Sequence, residues 1–472
     1  MLRCLSLTAE RDTDKLSDIR QYADCTDAVE IRLDLCQSKN AETVRSLCRA
    51  ASVPVILHAG GLFETAEGYS ALEHLIHPDL SYIELPWDQP TDFIREKAER
   101  MKVRLIRTIQ DVLNVPLSRL EHTLTSIVAE GDLPKLECSP RGSREALQLL
   151  KLCDSLKGFE EKIVYGRGAF GFFTRTMPWR CGSRFVYTEA GAGVKHAGSI
   201  TPRELEEVYR ISSHGEKTLL FGIIGNPVMH TQSPLLHNGW FAMEGFDALY
   251  LPFPVDDVGA FMEMAELAGI RGFSVTIPHK ESIIEHMELL SNGVRRMGSC
   301  NTAVKTRDGW YGSNTDLQGF LDPLEADVEK GGIEKALVIG AGGAARTVVF
   351  ALRERGIAVT IANRTVEKAR YLAQETDSAW SDLKAVSSDA SFDLVVQTTS
   401  VGMEPDVEGD PLPDFRFVGS ETVYDIIYTP EKTRFLERAE AAGCRIIGGK
   451  RMLRAQAELQ FRQFREICSL WA

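Results

Sequence analysis

ALVIGAGGAAR, residues 336–346, is an apolar run that leads into a glycine-rich turn, and it decides the fold of the chain around it. Ala336–Ile339 reads as a buried strand, and the residues after the turn read as a helix. Gly340, Gly342 and Ala345 fall on the positions G-x-G-x-x-G/A: a tight turn, a bare backbone, and a small residue where helix meets strand. That pattern is a dinucleotide turn, with the pyrophosphate resting on the amides and dipole of a helix N-terminus. About twenty residues further on, an NAD site carries a carboxylate for the ribose 2′-hydroxyl. Here the second strand ends in Asn363, Arg364 and Thr365. A guanidinium grips a 2′-phosphate where a carboxylate would repel it, so the expected cofactor is NADP.

The rest of the chain bounds the possibilities. At 472 residues it needs two or three domains, and a mean hydropathy of -0.14 suits a globular protein. The net charge of -13, without clustered Lys and Arg, argues against a nucleic-acid partner; small anionic molecules remain compatible because they respond to local charge. Ten scattered cysteines, with no C-x-x-C pair, fit reduced thiols in a cytoplasmic setting. MLRCLSLTAE at the start reads as a short strand, with neither signal peptide nor membrane span expected.

Upstream of the turn, eight strand-like runs start at Arg3, Ala28, Val53, Leu80, Val103, Leu133, Lys162 and Arg184, spaced by 22 to 30 residues. Helix-forming stretches lie between most of them, which predicts a parallel sheet, and eight such units predict a (β/α)₈ barrel. An open doubly wound sheet is the alternative. In the second run Glu30, Arg32 and Asp34 alternate with Ile31, Leu33 and Leu35, so three charges share one face. They read either as a solvent-facing edge or as a mutually paired site floor inside the barrel. Lys135, in the sixth run, stands among apolar neighbours, and a desolvated lysine can lose its proton and attack a ketone.

EIRLD from Glu30, Lys135 in DLPKL and Arg175 after the seventh run together resemble the type I 3-dehydroquinate dehydratase family, over about residues 1–212. The resemblance implies that Lys135 forms an imine with 3-dehydroquinate, that Glu30 and Arg32 hold the substrate, and that Arg175 binds its carboxylate. It also marks departures. Gln110 stands where that family has its catalytic histidine, the third run ends His58, Ala59, Gly60, Gly61, and Ala197, Gly198, Ser199 replace a Pro-Gly-Gln loop. Because an amide is no general base, either His58 substitutes or the barrel is slow or inactive. In the latter case the barrel is a binding or scaffolding module.

From Leu219 onward the motifs LFGIIGNPVMHTQSPLLHN, GFSVTIPHK, GSCNTAV, GSNTD, the glycine turn, QTTSVGM, YDIIYTP and GGKRMLRAQAELQF follow one another. This series resembles shikimate dehydrogenase. Independently of the family, ketone reduction by a hydride needs a proton for the developing alkoxide, and Lys280 with Asp316 can supply and orient it. For an arbitrary Lys and Asp a structural salt bridge would be the plainer reading, and the surrounding polar set overturns it. The resemblance implies that Thr231 and Ser233 grip a carboxylate, that Thr276, Asn301, Asp316 and Gln456 hold ring hydroxyls, and that Tyr428 lies near the carboxylate. It places Gly340, Ala341, Gly342, Gly343 and Ala344 at the phosphates, Asn363, Arg364 and Thr365 at the 2′-phosphate, and Thr399, Gly449 and Met452 near the nicotinamide. His230 and His237 lack a third ligand at metal spacing, so no metal is expected. The implied organisation is a substrate domain at 218–322 completed by the last helix at 447–472, and a Rossmann domain at 330–446, with the active site in their crevice. The implied ligands are 3-dehydroquinate, 3-dehydroshikimate and shikimate. Quinate oxidation with NAD is the competing activity, and Arg364 opposes it.

Overall fold

A computed structural model describes residues 1–60, 66–190, 197–386 and 391–471. The chain divides into two compact units, Met1–Arg271 with Thr276–Pro278, and Gly272–Val275 with His279–Ala472.

The first unit opens with eight parallel strands: β1 (Leu2–Leu7), β2 (Ala28–Arg32), β3 (Val55–His58), β4 (Tyr82–Pro86), β5 (Arg104–Ile109), β6 (Leu133–Cys138), β7 (Ile163–Gly166) and β8 (Phe185–Glu189). Their order is β7-β6-β5-β4-β3-β2-β1-β8, and a parallel bridge between Lys162 and Ser183 brings β7 to β8. The expected barrel is therefore the observed one, and the open sheet is set aside. Seven of the eight strands lie within their expected runs, trimmed at the ends, and β1 begins one residue early, at Leu2 rather than Arg3. Inside, Cys4, Ala28, Ile56, Ile106, Leu133, Ile163, Phe185 and Tyr187 form one apolar layer. Small strands with bulky inward residues fill such a barrel completely, leaving chemistry to the strand ends.

One local expectation needs correction. The alternation Glu30, Arg32, Asp34 does not continue along one strand, because β2 ends at Arg32 and Leu33–Leu35 form a single 3₁₀ turn. Asp34 bends back onto Arg32, whose Nε and Nη2 donate to its two oxygens at 2.9 and 2.6 Å. That bidentate pair forms more readily across a turn than between strand neighbours two apart.

The same unit continues into β9 (Leu219–Gly225) and β10 (Ala248–Pro254), paired in parallel. Barrel helix Ser143–Ser155 meets this second part through several polar contacts. Ser143 N donates to Asp256 Oδ1 at 2.8 Å, Arg144 pairs with Asp257 at 2.7 Å, and Lys151 pairs with Glu263 at 2.5 Å. Arg180 adds a hydrogen bond to the Leu267 carbonyl at 2.7 Å.

The second unit holds β11 (Ile270–Val275), β12 (Leu289–Leu290), β13 (Thr302–Thr306) and β14 (Gly309–Ser313), in the order β11-β13-β14-β12. It also holds six parallel strands, β15 (Lys335–Ile339), β16 (Ala358–Asn363), β17 (Ala379–Asp382), β18 (Leu394–Gln397), β19 (Thr422–Asp425) and β20 (Arg445–Ile447). Their order, β17-β16-β15-β18-β19-β20, reverses on either side of β15, which is the dinucleotide-binding topology with its switch point at the end of the first strand. Helix Gly449–Trp471 closes the chain by packing on β11, where a Cβ at Gly272 would lie 2.9 Å from the Phe464 ring. Among the described residues no helix is long and apolar enough to cross a membrane.

Candidate active sites

The glycine turn follows β15 at the switch point. Gly340 has φ +116°, and a Cβ there would lie 2.5 Å from Thr398 Oγ1, so the protein itself demands glycine. Gly342 and Gly343 differ: a Cβ at either would meet no protein atom within 4 Å. They leave open space at the start of helix Gly343–Glu354, whose first-turn amides have no partner within the helix. A cleft of about 390 Å³ lies there, lined by Ala341, Gly342, Gly343, Arg346, Lys368 and Tyr371 among others. Ala344 is half-buried in the first turn of the same helix.

Asn363 ends β16 and donates to the Thr365 carbonyl at 2.9 Å, which shapes the bend that leaves Arg364 exposed. Thr399 follows β18, its amide held by Gln397 Oε1 at 2.8 Å, and half-buried Tyr428 follows β19. Parallel strands bring all of these to one sheet edge. The residues fit a phosphorylated dinucleotide: bare turn, helix N-terminus, and a free guanidinium at the second strand. Lys368 and Tyr371 were not among the expected contacts; Lys368 lies one helical turn beyond Arg364, and that spacing was the available signal. Gly449 has a packing reason for being glycine, since its Cβ would sit 2.2 Å from the Ile426 carbonyl. Met452 is partly buried against the core of the dinucleotide sheet.

In the same unit Lys280 Nζ donates to Asp316 Oδ2 at 2.6 Å. Asp316 opens helix Asp316–Leu321, and its amide is held by Asn314 Oδ1 at 2.9 Å. Asn301 is buried beneath this turn: its Oδ1 accepts from Thr315 N and from Thr302 Oγ1, each at 2.8 Å, and its Nδ2 donates to Thr315 Oγ1 at 3.0 Å. Most of its hydrogen-bonding capacity thus holds the loop, leaving one amide hydrogen for a ligand. Gln456 reaches the same region because Gly319 lets two helices touch: a Cβ at Gly319 would lie 2.7 Å from Gln456 Cβ.

In the first unit Thr231 Oγ1 donates to Ser233 Oγ at 3.1 Å and accepts from Ser233 N at 3.2 Å, so the two hydroxyls form one cluster. Thr276 N donates to the Ile224 carbonyl at 2.9 Å, and its methyl fills the space that a Cβ at Gly225 would need. His237 is fully buried and stacked on Tyr250 with centroids 4.3 Å apart. Among the described residues no group of three or more His, Cys, Asp or Glu is arranged to hold a metal ion.

The barrel encloses a cluster of charge. Lys135 Nζ donates to Glu84 Oε1 and Oε2 at 2.8 and 2.9 Å, and Glu137 and Glu30 lie at 3.6 and 3.7 Å. Tyr187 lies beneath the ammonium, its ring centroid 4.2 Å away. Glu84 also accepts from Thr108 Oγ1 at 2.8 Å, Glu30 accepts from Ser6, and Glu137 pairs with Arg167 at 2.6 Å.

This arrangement corrects the expectation of a lysine that deprotonates through desolvation. Burial does act to lower Lys135, but the three carboxylates outweigh it and hold the group above its ordinary value. The partner agrees: burial would raise Glu84, yet the Lys135 charge holds it down at about 2. Lys135 is an ammonium that must pass on a proton before it can attack a ketone. Glu84 and Glu137 were missed by the sequence reading, although both alternate with apolar neighbours in strands, as Glu30 does.

Arg175 lies in the short helix Phe173–Thr176, buried, with Nη2 donating to the Gly168 carbonyl at 3.1 Å and its guanidinium against the Tyr165 ring. Its Nε has no protein partner, and burial lowers the group from its usual value, so it offers a desolvated cation to an anion. Gln110 follows β5 with an exposed side chain. His58, the last residue of β3, places Nε2 3.8 Å from Glu84 Oε1. Gly61 lies outside the described residues.

Three family models match the chain: type I 3-dehydroquinase over residues 3–216, shikimate dehydrogenase substrate binding domain over 223–303, and shikimate / quinate 5-dehydrogenase over 325–403. The shikimate dehydrogenase (NADP(+)) of Caldanaerobacter subterraneus is 37% identical over 255 residues, which are 52% of this chain and 90% of that protein. The bifunctional 3-dehydroquinate dehydratase/shikimate dehydrogenase, chloroplastic, of Arabidopsis thaliana is 27% identical over 468 residues, 93% of this chain and 77% of that one. A solved shikimate dehydrogenase in complex with NADP+ superposes with a TM-score of 0.50 at 32% identity, covering 53% of this chain and 91% of that one. With the barrel, the dinucleotide sheet and both lysine sites in place, the chain belongs to the shikimate dehydrogenase family and carries a type I 3-dehydroquinase barrel ahead of it.

Proposed function

We propose that this chain performs two successive reactions: dehydration of 3-dehydroquinate to 3-dehydroshikimate in the barrel, and reduction of 3-dehydroshikimate to shikimate in the second half with NADPH. The product of the first reaction is the substrate of the second. The observation that carries the reading is the pairing of Lys280 with Asp316 at 2.6 Å in a unit whose glycine turn is open to a dinucleotide.

NADPH, when bound, supplies the hydride. Lys280 delivers the proton to the developing alkoxide, and Asp316 orients the ammonium for it. Thr231 and Ser233 hold the carboxylate, with Tyr428 near it, while Thr276, Asn301 and Gln456 recognise ring hydroxyls, since a site built for them rejects analogues that lack them. Arg364, with Asn363 and Thr365, receives the 2′-phosphate, and this favours NADP over the NAD-dependent alternative.

In the barrel, Lys135 attacks the ketone once its proton has moved, and water leaves to give an imine. The imine acidifies the neighbouring C–H; loss of that proton and of the β-hydroxyl as water gives the unsaturated imine, and its hydrolysis releases the unsaturated ketone and frees the lysine. Glu30 and Arg32 hold substrate hydroxyls, and Arg175 pairs with the carboxylate. A purely scaffolding barrel is disfavoured by the Lys135 cluster, because burying an ion among three carboxylates is costly unless it serves chemistry. We place the enzyme in a reducing, cytoplasmic compartment, a reading supported by ten scattered, buried cysteines with no C-x-x-C pair. Its ligands are small anionic acids and NADP.

The test uses the full chain. Borohydride reduction with 3-dehydroquinate should attach the substrate to Lys135 and leave Lys135→Ala unlabelled. Lys280→Ala should lower shikimate formation with NADPH by about 10²- to 10⁴-fold, the usual worth of a general acid. No label on the wild type would sink the barrel half, and an unchanged Lys280→Ala rate would sink the other.

A further inference from the structure

The dehydration just proposed, on which this inference rests, needs a group that takes a proton from the carbon next to the imine. The groups around Lys135 are poorly placed to do so. Glu84 commits both oxygens to the ammonium and is held at about 2, where a carboxylate is too weak a base. Glu137 is shared between Lys135 and Arg167, and Glu30 between Lys135 and Ser6. Tyr187 is pushed well up by burial and cannot ionise near neutrality. Gln110, at the end of β5, carries an amide without basicity.

His58 has what these lack. In register it stands between Arg32 of β2 and Glu84 of β4, so it belongs to the mouth end of the charged layer. Its side chain is 19% exposed while Glu84 is 2% exposed, which puts it where the buried cluster opens outward. Nε2 is 3.8 Å from Glu84 Oε1, the oxygen that lies 2.8 Å from Lys135 Nζ. Because the two distances share that oxygen, Nε2 is no further from Nζ than their total. A carbon two bonds from Nζ, plus a proton-transfer reach of about 3 Å, spans most of that upper limit.

The other nitrogen is equipped for both protonation states. Nδ1 accepts the Gly60 N–H at 3.2 Å and lies 3.9 Å from Asp34 Oδ1. When bare it has a donor, and when protonated it has a carboxylate. Gly60 keeps the amide there through a φ of +59°, with a Cβ position only 3.0 Å from Asp34 Cβ. With Nδ1 accepting from Gly60 the neutral ring carries its proton on Nε2; Nε2 acts as a base in the other tautomer, whose proton sits on Nδ1 and faces Asp34.

We infer that His58 is the proton-transfer residue of the barrel. Its Nε2 takes the proton from the carbon beside the imine, the electron pair of that C–H bond becomes the new C=C, and the resulting imidazolium returns a proton to the β-hydroxyl as it departs as water. Asp34 and Glu84 steady the ring during this cycle.

The test compares wild type, His58→Gln and His196→Ala as full-length chains, the last testing a second histidine of the same half. Borohydride labelling of Lys135 by 3-dehydroquinate reports imine formation, exchange of the substrate's α-hydrogen in deuterated water reports proton abstraction, and thermal melts report folding. The expected result is a normal melt and intact labelling in His58→Gln, with exchange and dehydration down about 10²- to 10⁴-fold. Imidazole added to His58→Ala should restore part of the rate, which a structural role would not allow. If His58→Gln labels normally and turns over within threefold of wild type, the inference is overturned while the dehydratase reading stands. Loss of exchange in His196→Ala with His58→Gln unaffected also overturns it. If wild type itself takes no label, the underlying reading falls and the inference with it.

Discussion

Gly319→Ala sets two well-measured effects against each other inside the reductase half. In a helix, alanine is favoured over glycine by about 1 kcal/mol, so propensity alone predicts a more stable protein. The structure predicts the opposite. A Cβ at Gly319 would stand 2.7 Å from Gln456 Cβ, 2.8 Å from its N and 2.9 Å from its Cα. Carbon atoms in contact prefer about 3.5–4.0 Å, so roughly 1 Å of separation has to be found. The atoms in the way belong to the backbone of a 23-residue helix, which cannot swing aside as a side-chain end could. Overpacking of this kind costs about 1–3 kcal/mol, so it should exceed the propensity gain and leave a net loss of about 1 kcal/mol. The catalytic consequence is larger. Helix Asp316–Leu321 carries Asp316 Oδ2 at 2.6 Å from Lys280 Nζ, and a displacement of about 1 Å takes that pair beyond the hydrogen-bond range. Misplacement of that size costs about 10²-fold in rate. Initial rates of NADPH oxidation with 3-dehydroshikimate, beside urea denaturation curves, measure both quantities. A variant as stable as wild type or more so, with kcat within twofold, would refute the packing argument.

Three further outcomes are expected. Arg364→Ala should weaken NADPH by about 1.5–3 kcal/mol, roughly 10- to 100-fold in KM, the worth of charge-assisted hydrogen bonds to a phosphate, while leaving NADH nearly unchanged; equal effects would remove the NADP assignment. Asp425 is raised to about 6, by burial against hydrogen bonds from Thr433 and the Ile427 amide. Its folded value lies above the unfolded one, so the folded state holds the proton more tightly. Its contribution to stability is therefore complete below about pH 4 and lost as pH rises through about 6. Asp425→Asn should flatten that part of the urea-stability profile, and an unaltered slope would count against it. Glu84→Gln removes the nearest carboxylate from Lys135 and breaks a buried pair, so a loss of about 3–5 kcal/mol is expected, together with a shift of the borohydride-labelling profile to lower pH as the ammonium loses its partner. A labelling profile superimposable on wild type would mean that Glu84 does not hold the lysine's charge.

The fold was legible wherever local pattern and global structure agree. Eight apolar runs at regular spacing produced eight parallel strands because each is buried on both sides and bounded by polar helices. The glycine turn was legible for the same reason: Gly340 is required by its backbone angle and by Thr398, and those demands are local. What was less legible lay in the barrel's charged layer. Glu30 was recognised by its motif, but Glu84 and Glu137 are single carboxylates in otherwise apolar strands. Glu137 shares a strand face with Lys135, but only the folded sheet brings Glu84 of β4 within 4 Å of it. Asp34 was placed on the wrong element because an alternating pattern does not announce that a strand stops after Arg32. Asn301 was expected at a ring hydroxyl, and its buried hydrogen bonds to Thr315 and Thr302 show that it first holds the loop carrying Asp316.

By itself the sequence determined the order of the elements, the dinucleotide turn, the preference for a 2′-phosphate and the residue types at both lysine sites, since each depends on neighbours within a few positions. Tertiary structure alone decided the protonation of Lys135. Isolated burial predicts a neutral amine, and three carboxylates from β2, β4 and β6 instead make an ammonium of it. Glu137 is a neighbour on the same strand, but Glu30 and Glu84 are far apart from Lys135 in the chain and come within 4 Å of it in the folded barrel, where the low dielectric makes the Coulomb interaction outweigh desolvation.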